Sequence, residues 1–71
     1  ADVAEFTVKA DSKITKHRVK DLGLPKGATI GGLIRQGEGV VVTGNTQIIP
    51  GDHVVVFCLN MMIKKIEKFF N

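Results

Sequence analysis

Few side chains in these 71 residues are equipped for chemistry: Cys58, His17, His53, Asp52, Arg35 and the basic run Lys16, His17, Arg18 and Lys20. A nucleophile needs a base within hydrogen-bond reach, and acid–base hydrolysis needs two carboxylates held at a set separation. No such pair stands at meaningful spacing, so the chain is read as not an enzyme. One cysteine rules out an internal disulfide, and with two histidines it makes no metal-ligand set of recognised spacing. Nothing basic lies beside Cys58 in sequence to favour a thiolate, so it reads as a small core hydrophobe. Asp52 follows Pro50-Gly51, where a turn carboxylate accepts backbone N–H groups. His53 reads as a partly buried strand histidine. Arg35 closes a strand pattern, either as an exposed charge or as a partner of Glu38.

Charge narrows the classes further. The formal net charge is +3, with seven of the ten Lys and Arg in residues 1–35, three in 64–71 and none in 36–63. A pI of 9.3 raises nucleic-acid binding, yet Tyr and Trp are absent and no aromatic RNA-binding motif occurs. The basic run Lys16 to Lys20 is read as a solvated surface able to meet an acidic neighbour, and no nucleic-acid partner is expected. No apolar run approaches the roughly 20 residues of a membrane span, and the N-terminus lacks signal-peptide order, so the chain is read as cytosolic.

The elements that hold these groups centre on residues 53–59. Pro50 sets φ for a turn, Gly51 accepts the positive φ that a type II turn requires, and a strand apolar on both faces follows. His53, Val55, Phe57 and Leu59 share one face, and Val54, Val56 and Cys58 the other. Such a strand belongs inside a sheet with both faces covered. Residues 3–10 alternate as a half-buried strand with Ala4, Phe6, Val8 and Ala10 inward. Thr15 is placed to cap a short helix over 16–22, with Ile14 and Val19 as a staple and Gly23 as the stop. A strand over 28–35 carries Gly31-Gly32, which marks a bulge or the close approach of another group. Residues 36–39 turn, 40–43 return as a strand, and 46–49 form a small fifth strand. Asn60 caps a C-terminal helix whose apolar stripe is Met62, Ile63, Ile66, Phe69 and Phe70.

The fold class expected is α+β: a small mixed or antiparallel sheet of four to five strands, one short helix and one C-terminal amphipathic helix, in the order β-α-β-β-β-α. A single domain of this size buries only roughly 60% of its unfolded surface, and two short helices cannot cover both faces of the sheet. A homodimer is therefore expected, in a domain cut from a longer polypeptide.

The run Val19-Lys20-Asp21-Leu22-Gly23-Leu24-Pro25-Lys26-Gly27-Ala28-Thr29-Ile30, then Ile34-Arg35, Thr46, and Pro50-Gly51-Asp52-His53-Val54-Val55-Val56-Phe57, resembles the RCK-C or TrkA-C family of potassium-transport regulators. The resemblance is nearest to its potassium-uptake branch. It implies a non-catalytic, ligand-sensing regulatory domain, dimeric and cytoplasmic at the inner face of the membrane. It also implies an attached N-terminal nucleotide-binding domain and a membrane potassium transporter as partners, or else another carrier or antiporter. No Gly-x-Gly-x-x-Gly followed by an acidic residue occurs, so no nicotinamide or adenine nucleotide cofactor is assigned to these residues. In some relatives the domain takes a cyclic dinucleotide across its dimer interface; here the resemblance places a small regulatory ligand of unknown identity at Ile30, Ile34, Arg35 and Asn45. Two departures stand out: Thr43-Gly44 replaces a proline common in relatives, and Gly31-Gly32 is a less common pair.

Overall fold

The computed structural model describes residues 2–71. Four strands, β1 (Asp2–Thr7), β2 (Ala28–Arg35), β3 (Glu38–Val40) and β4 (His53–Cys58), form one antiparallel sheet in the order β1-β4-β2-β3. The Val-rich β4 lies inside, paired with β1 from Asp2↔Cys58 to Thr7↔His53 and with β2 from Ala28↔Cys58 to Ile34↔His53. The final helix, α1 (Ile63–Phe70), packs its apolar stripe on one side of the sheet, burying Ile66, Phe69 and Phe70. Phe70 stacks on Phe6 of β1 at 4.3 Å between ring centroids. Under α1 lie Val54, Val56 and Cys58 of β4, all but closed to solvent.

Several expectations are met. β2 has the anticipated bounds, and Gly51 takes φ +92° in a turn closed by the Asp52 N–H donating to the Ile49 carbonyl at 3.2 Å. Gly31 is a bulge: Ile30 pairs with Val56 and Gly32 with the next residue back, Val55, leaving Gly31 without a counterpart. The bulge reverses facing along β2. Ile30 packs towards the core, whereas Ile34 lies on the opposite face and is 45% exposed.

Other expectations are corrected. The helix over 16–22 is absent; one 3-10 turn, Lys13–Thr15, precedes that span and another, Val19–Asp21, lies within it, and the Thr15 hydroxyl donates to the Ser12 carbonyl at 2.7 Å without capping a helix. The cause is tertiary. The Val19 and Lys20 N–H groups donate to the carbonyls of Thr46 (3.0 Å) and Gly44 (2.9 Å), so they are unavailable to a helical ladder. The β2–β3 hairpin turns on Gln36-Gly37 alone, with φ +51° and +80° as a two-residue I′ turn needs, so Glu38 and Gly39 already belong to β3. β3 stops at Val40, short of the expected 43, and residues 46–49 form no strand. β1 ends at Thr7, and beyond it Val8 exchanges hydrogen bonds with the 51–52 turn at 2.8 and 2.9 Å. Asn60 starts a 3-10 turn, Asn60–Met62, and makes no side-chain cap; α1 begins three residues later.

The expected shortage of cover is present: a single chain shields only one face of the sheet. On the other, Val3, Phe57 and Ile34 are each about half exposed, and Val41 beyond β3 is almost fully so.

Candidate functional site

Two features stand out. At the end where β2 leaves and β4 enters, Arg35 and Asp52 meet: Nε donates to Oδ1 at 2.8 Å and Nη2 to Oδ2 at 2.7 Å. This bidentate fork is the strong form of an ion pair. Nη2 also donates to the Gln47 carbonyl (3.1 Å), and the Ile49 N–H donates to Oδ2 (3.0 Å). The turn carboxylate thus accepts a backbone N–H, as its position after Pro50-Gly51 implies. Its main partner is Arg35, and the expected Arg35–Glu38 side-chain pair gives way to it although the two share a backbone register. The register that makes Ile34 face His53 brings Arg35 and Asp52 together, so recognising β2 and β4 as neighbours would have revealed the pair.

Asp52 is 1% exposed, and the Arg35 guanidinium holds its carboxyl below the usual aspartate value, aided by the Ile49 N–H and opposed by burial. The sign follows. With the folded value depressed, the pair contributes full stability above the unfolded aspartate value near ~4 and loses it as pH falls through the folded value. Expected result: the urea midpoint falls on acidification below about pH 4, and Asp52→Asn, which cannot ionise, flattens this acid limb. An unchanged slope in that variant would disprove the assignment.

The second feature is the open face. Gly31, Gly32, Ile34, Val41, Val55 and Phe57, with other residues of β2 and β3, line a shallow depression of about 560 Å³. The Phe57 ring lies across Gly31, where an added Cβ would fall 2.2 Å from its Cε2. Glycine there lets the ring lie flat on β2. Gly31→Ala should swing the ring outward at a cost of about 1 kcal/mol, the low end for overpacking because Phe57 is half exposed and free to turn. Aromatic proton shifts of Phe57 in NMR spectra test this; unmoved resonances would show that the contact does not hold the ring. At the β1 edge of the same face, His53 Nε2 lies 2.6 Å from Glu5 Oε1 and its Nδ1 3.4 Å from Thr7 Oγ1, a cross-strand polar cluster that the sequence reading missed.

The residues expected to hold a ligand do not converge within one chain. Ile34 lines the depression; Ile30 faces the other layer; Arg35 is bound to Asp52; Asn45 sits in an exposed turn, its carbonyl accepting from Arg18 Nη1 at 3.1 Å. Among the described residues no three His, Cys, Asp or Glu side chains gather as a metal site, and no helix is long and apolar enough to cross a membrane.

The chain is a small antiparallel sheet with one C-terminal helix, a clasped loop and an apolar face left open. The chain belongs to the TrkA-C domain family, whose model matches residues 3–71. It is 29% identical over 70 residues to "Trk system potassium uptake protein TrkA homolog 2" of Methanosarcina mazei, covering 99% of this chain and 16% of that protein. It is 37% identical over 68 residues to the TrkA homolog of Archaeoglobus fulgidus, covering 96% of this chain and 15% of the relative. With TrkA of Halomonas elongata it shares 32% over 60 residues, 83% of this chain and 13% of that one. The chain thus spans about a sixth or less of these relatives. In fold it is similar to a solved structure described as "Structure of RCK domain with cda", with a TM-score of 0.81, 17% identity and full coverage of both chains. TrkA-C is a regulatory domain family, and these comparisons make the chain a regulatory domain homologous to part of Trk potassium uptake proteins.

Proposed function

We propose that this domain senses a small cytosolic ligand, pairs with a second copy of itself, and through an attached N-terminal domain controls a membrane potassium transporter of the Trk type. It performs no catalysis, works in the cytoplasm against the inner face of the membrane, and takes a cyclic dinucleotide or another small regulator with no resident cofactor. The observation that carries this reading is the open apolar face around Phe57, Val55, Ile34 and Val41. A second copy laid against the sheet face or edge removes that surface from water, which is favourable in proportion to its area. Ile34 and Arg35 of one chain point to different sides, so a pocket that uses both is completed by residues of the second copy. A ligand that binds one dimer arrangement better than another shifts the population between them, and equal affinity would shift nothing.

The test has two arms. Sedimentation at micromolar concentration is expected to give a dimer that Ile34→Glu and Phe57→Glu dissociate. A thermal-shift screen with cyclic dinucleotides, adenine nucleotides and cations is expected to find one that raises Tm by roughly 10 °C at a hundredfold excess over Kd. Monomer only, with no stabilising ligand, would overturn the reading.

A further inference from the structure

The charges of this chain divide between its layers. Among the described residues the strands hold Asp2, Glu5 and Glu38, with Arg35 as their one cation, closed on Asp52. The nine other Lys and Arg lie in the connections and α1 against three carboxylates, Asp11, Asp21 and Glu67, an excess twice the net charge of the whole chain.

The helix α1 and the 3-10 turn packed on it carry five of these cations. At about 100° per residue, Ile66, Phe69 and Phe70 point to the core, so Lys64 and Lys68, one turn apart, stand at the opposite pole of α1. Lys65 shares its flank with Phe69, four residues on, and Lys13 Nζ lies over the Phe69 ring, 4.9 Å from its centroid, where the 3-10 turn Lys13–Thr15 packs on α1. Lys16 extends the row from the end of that turn, its Nζ 3.7 Å from the exposed Asp11. Like charges one helical turn apart weaken a helix slightly, so the belt is not explained by folding.

Its chemistry selects a partner. Eight of the nine cations are lysines, mobile point charges suited to a fluid, diffuse anionic layer, and the one arginine, Arg18, donates to the Asn45 carbonyl. No Tyr or Trp is present to stack bases. The outward residues of α1, Lys64, Lys65, Glu67 and Lys68, offer no apolar centre of the kind a protein interface needs. We propose that Lys13, Lys16, Lys64, Lys65 and Lys68 form a docking belt for the anionic phospholipid surface of a bilayer. The proposal stands apart from the ligand-sensing reading, because the belt lies on the helical layer and the open face on the other.

The experiment is co-sedimentation of the 71-residue chain with vesicles. One set is pure phosphatidylcholine and the other contains roughly a third phosphatidylglycerol, a strongly anionic surface. Binding is expected to the anionic vesicles at about 50 mM salt and not to the neutral ones, and it should vanish near ~500 mM as the charges are screened. Lys64→Gln/Lys68→Gln should weaken it roughly thirtyfold, with circular dichroism melting unchanged because both side chains point to solvent. No binding to anionic vesicles at low salt would overturn the proposal, as would full binding by the double variant. Tighter capture of RNA or of an acidic polypeptide than of the vesicles would assign the belt to another partner and overturn it equally.

Discussion

Phe70→Ala is expected to remove about 3–5 kcal/mol of stability, the range for deleting a buried aromatic ring. A domain of this length holds roughly 4–10 kcal/mol in total, so about a third or more is at stake. Phe70 is 3% exposed and stacks face to face on Phe6, tying the last residues of the chain to the first strand. α1 spans only two turns, too few to persist in water without docking. Without that ring the helix loses its stacking contact with β1. Tm should fall by roughly 15–30 °C in a circular dichroism melt, and Phe70→Leu should recover much of it. A fall under about 5 °C would mean that some other contact closes the sheet.

Asp52→Ala should cost about 2–4 kcal/mol, below the full penalty for breaking a buried pair because the partner's guanidinium reaches water. The substitution removes the acceptor for Arg35 Nε and Nη2 and for the Ile49 N–H. The loop that carries the fully buried Ile48 then loses its clasp to β2. The urea midpoint should drop with little change in slope, and Asp52→Asn, which keeps one acceptor for Ile49, should lie between the two. Equal midpoints for Asp52→Ala and the parent chain would show the clasp to be dispensable.

Much of this architecture was legible in the residues. Pro50-Gly51 and the apolar run after it gave β4 and its turn, and the spacing of Ile66, Phe69 and Phe70 gave the buried side of α1, because turn chemistry and periodicity are local properties. What could not be read depended on contacts between distant segments. The 3-10 turn at Val19–Asp21 stands where a helix is expected because carbonyls of Gly44 and Thr46 capture the Val19 and Lys20 donors some 25 residues away in sequence. The bulge at Gly31 was anticipated as local geometry, but its effect on facing was not: strict alternation would put Ile30 beside Ile34, and the extra residue separates them. The Arg35–Asp52 clasp needed the β2–β4 register, which no short motif encodes.

The lone thiol of Cys58 lies 1% exposed in the innermost strand, across from Asp2 on one neighbour and Ala28 on the other. Alkylating reagents reach it only during transient opening, so their rate of modification measures how often the domain comes apart. The molecule therefore carries its own clock, and any regulator that grips the closed form should slow it in proportion to the occupancy it achieves.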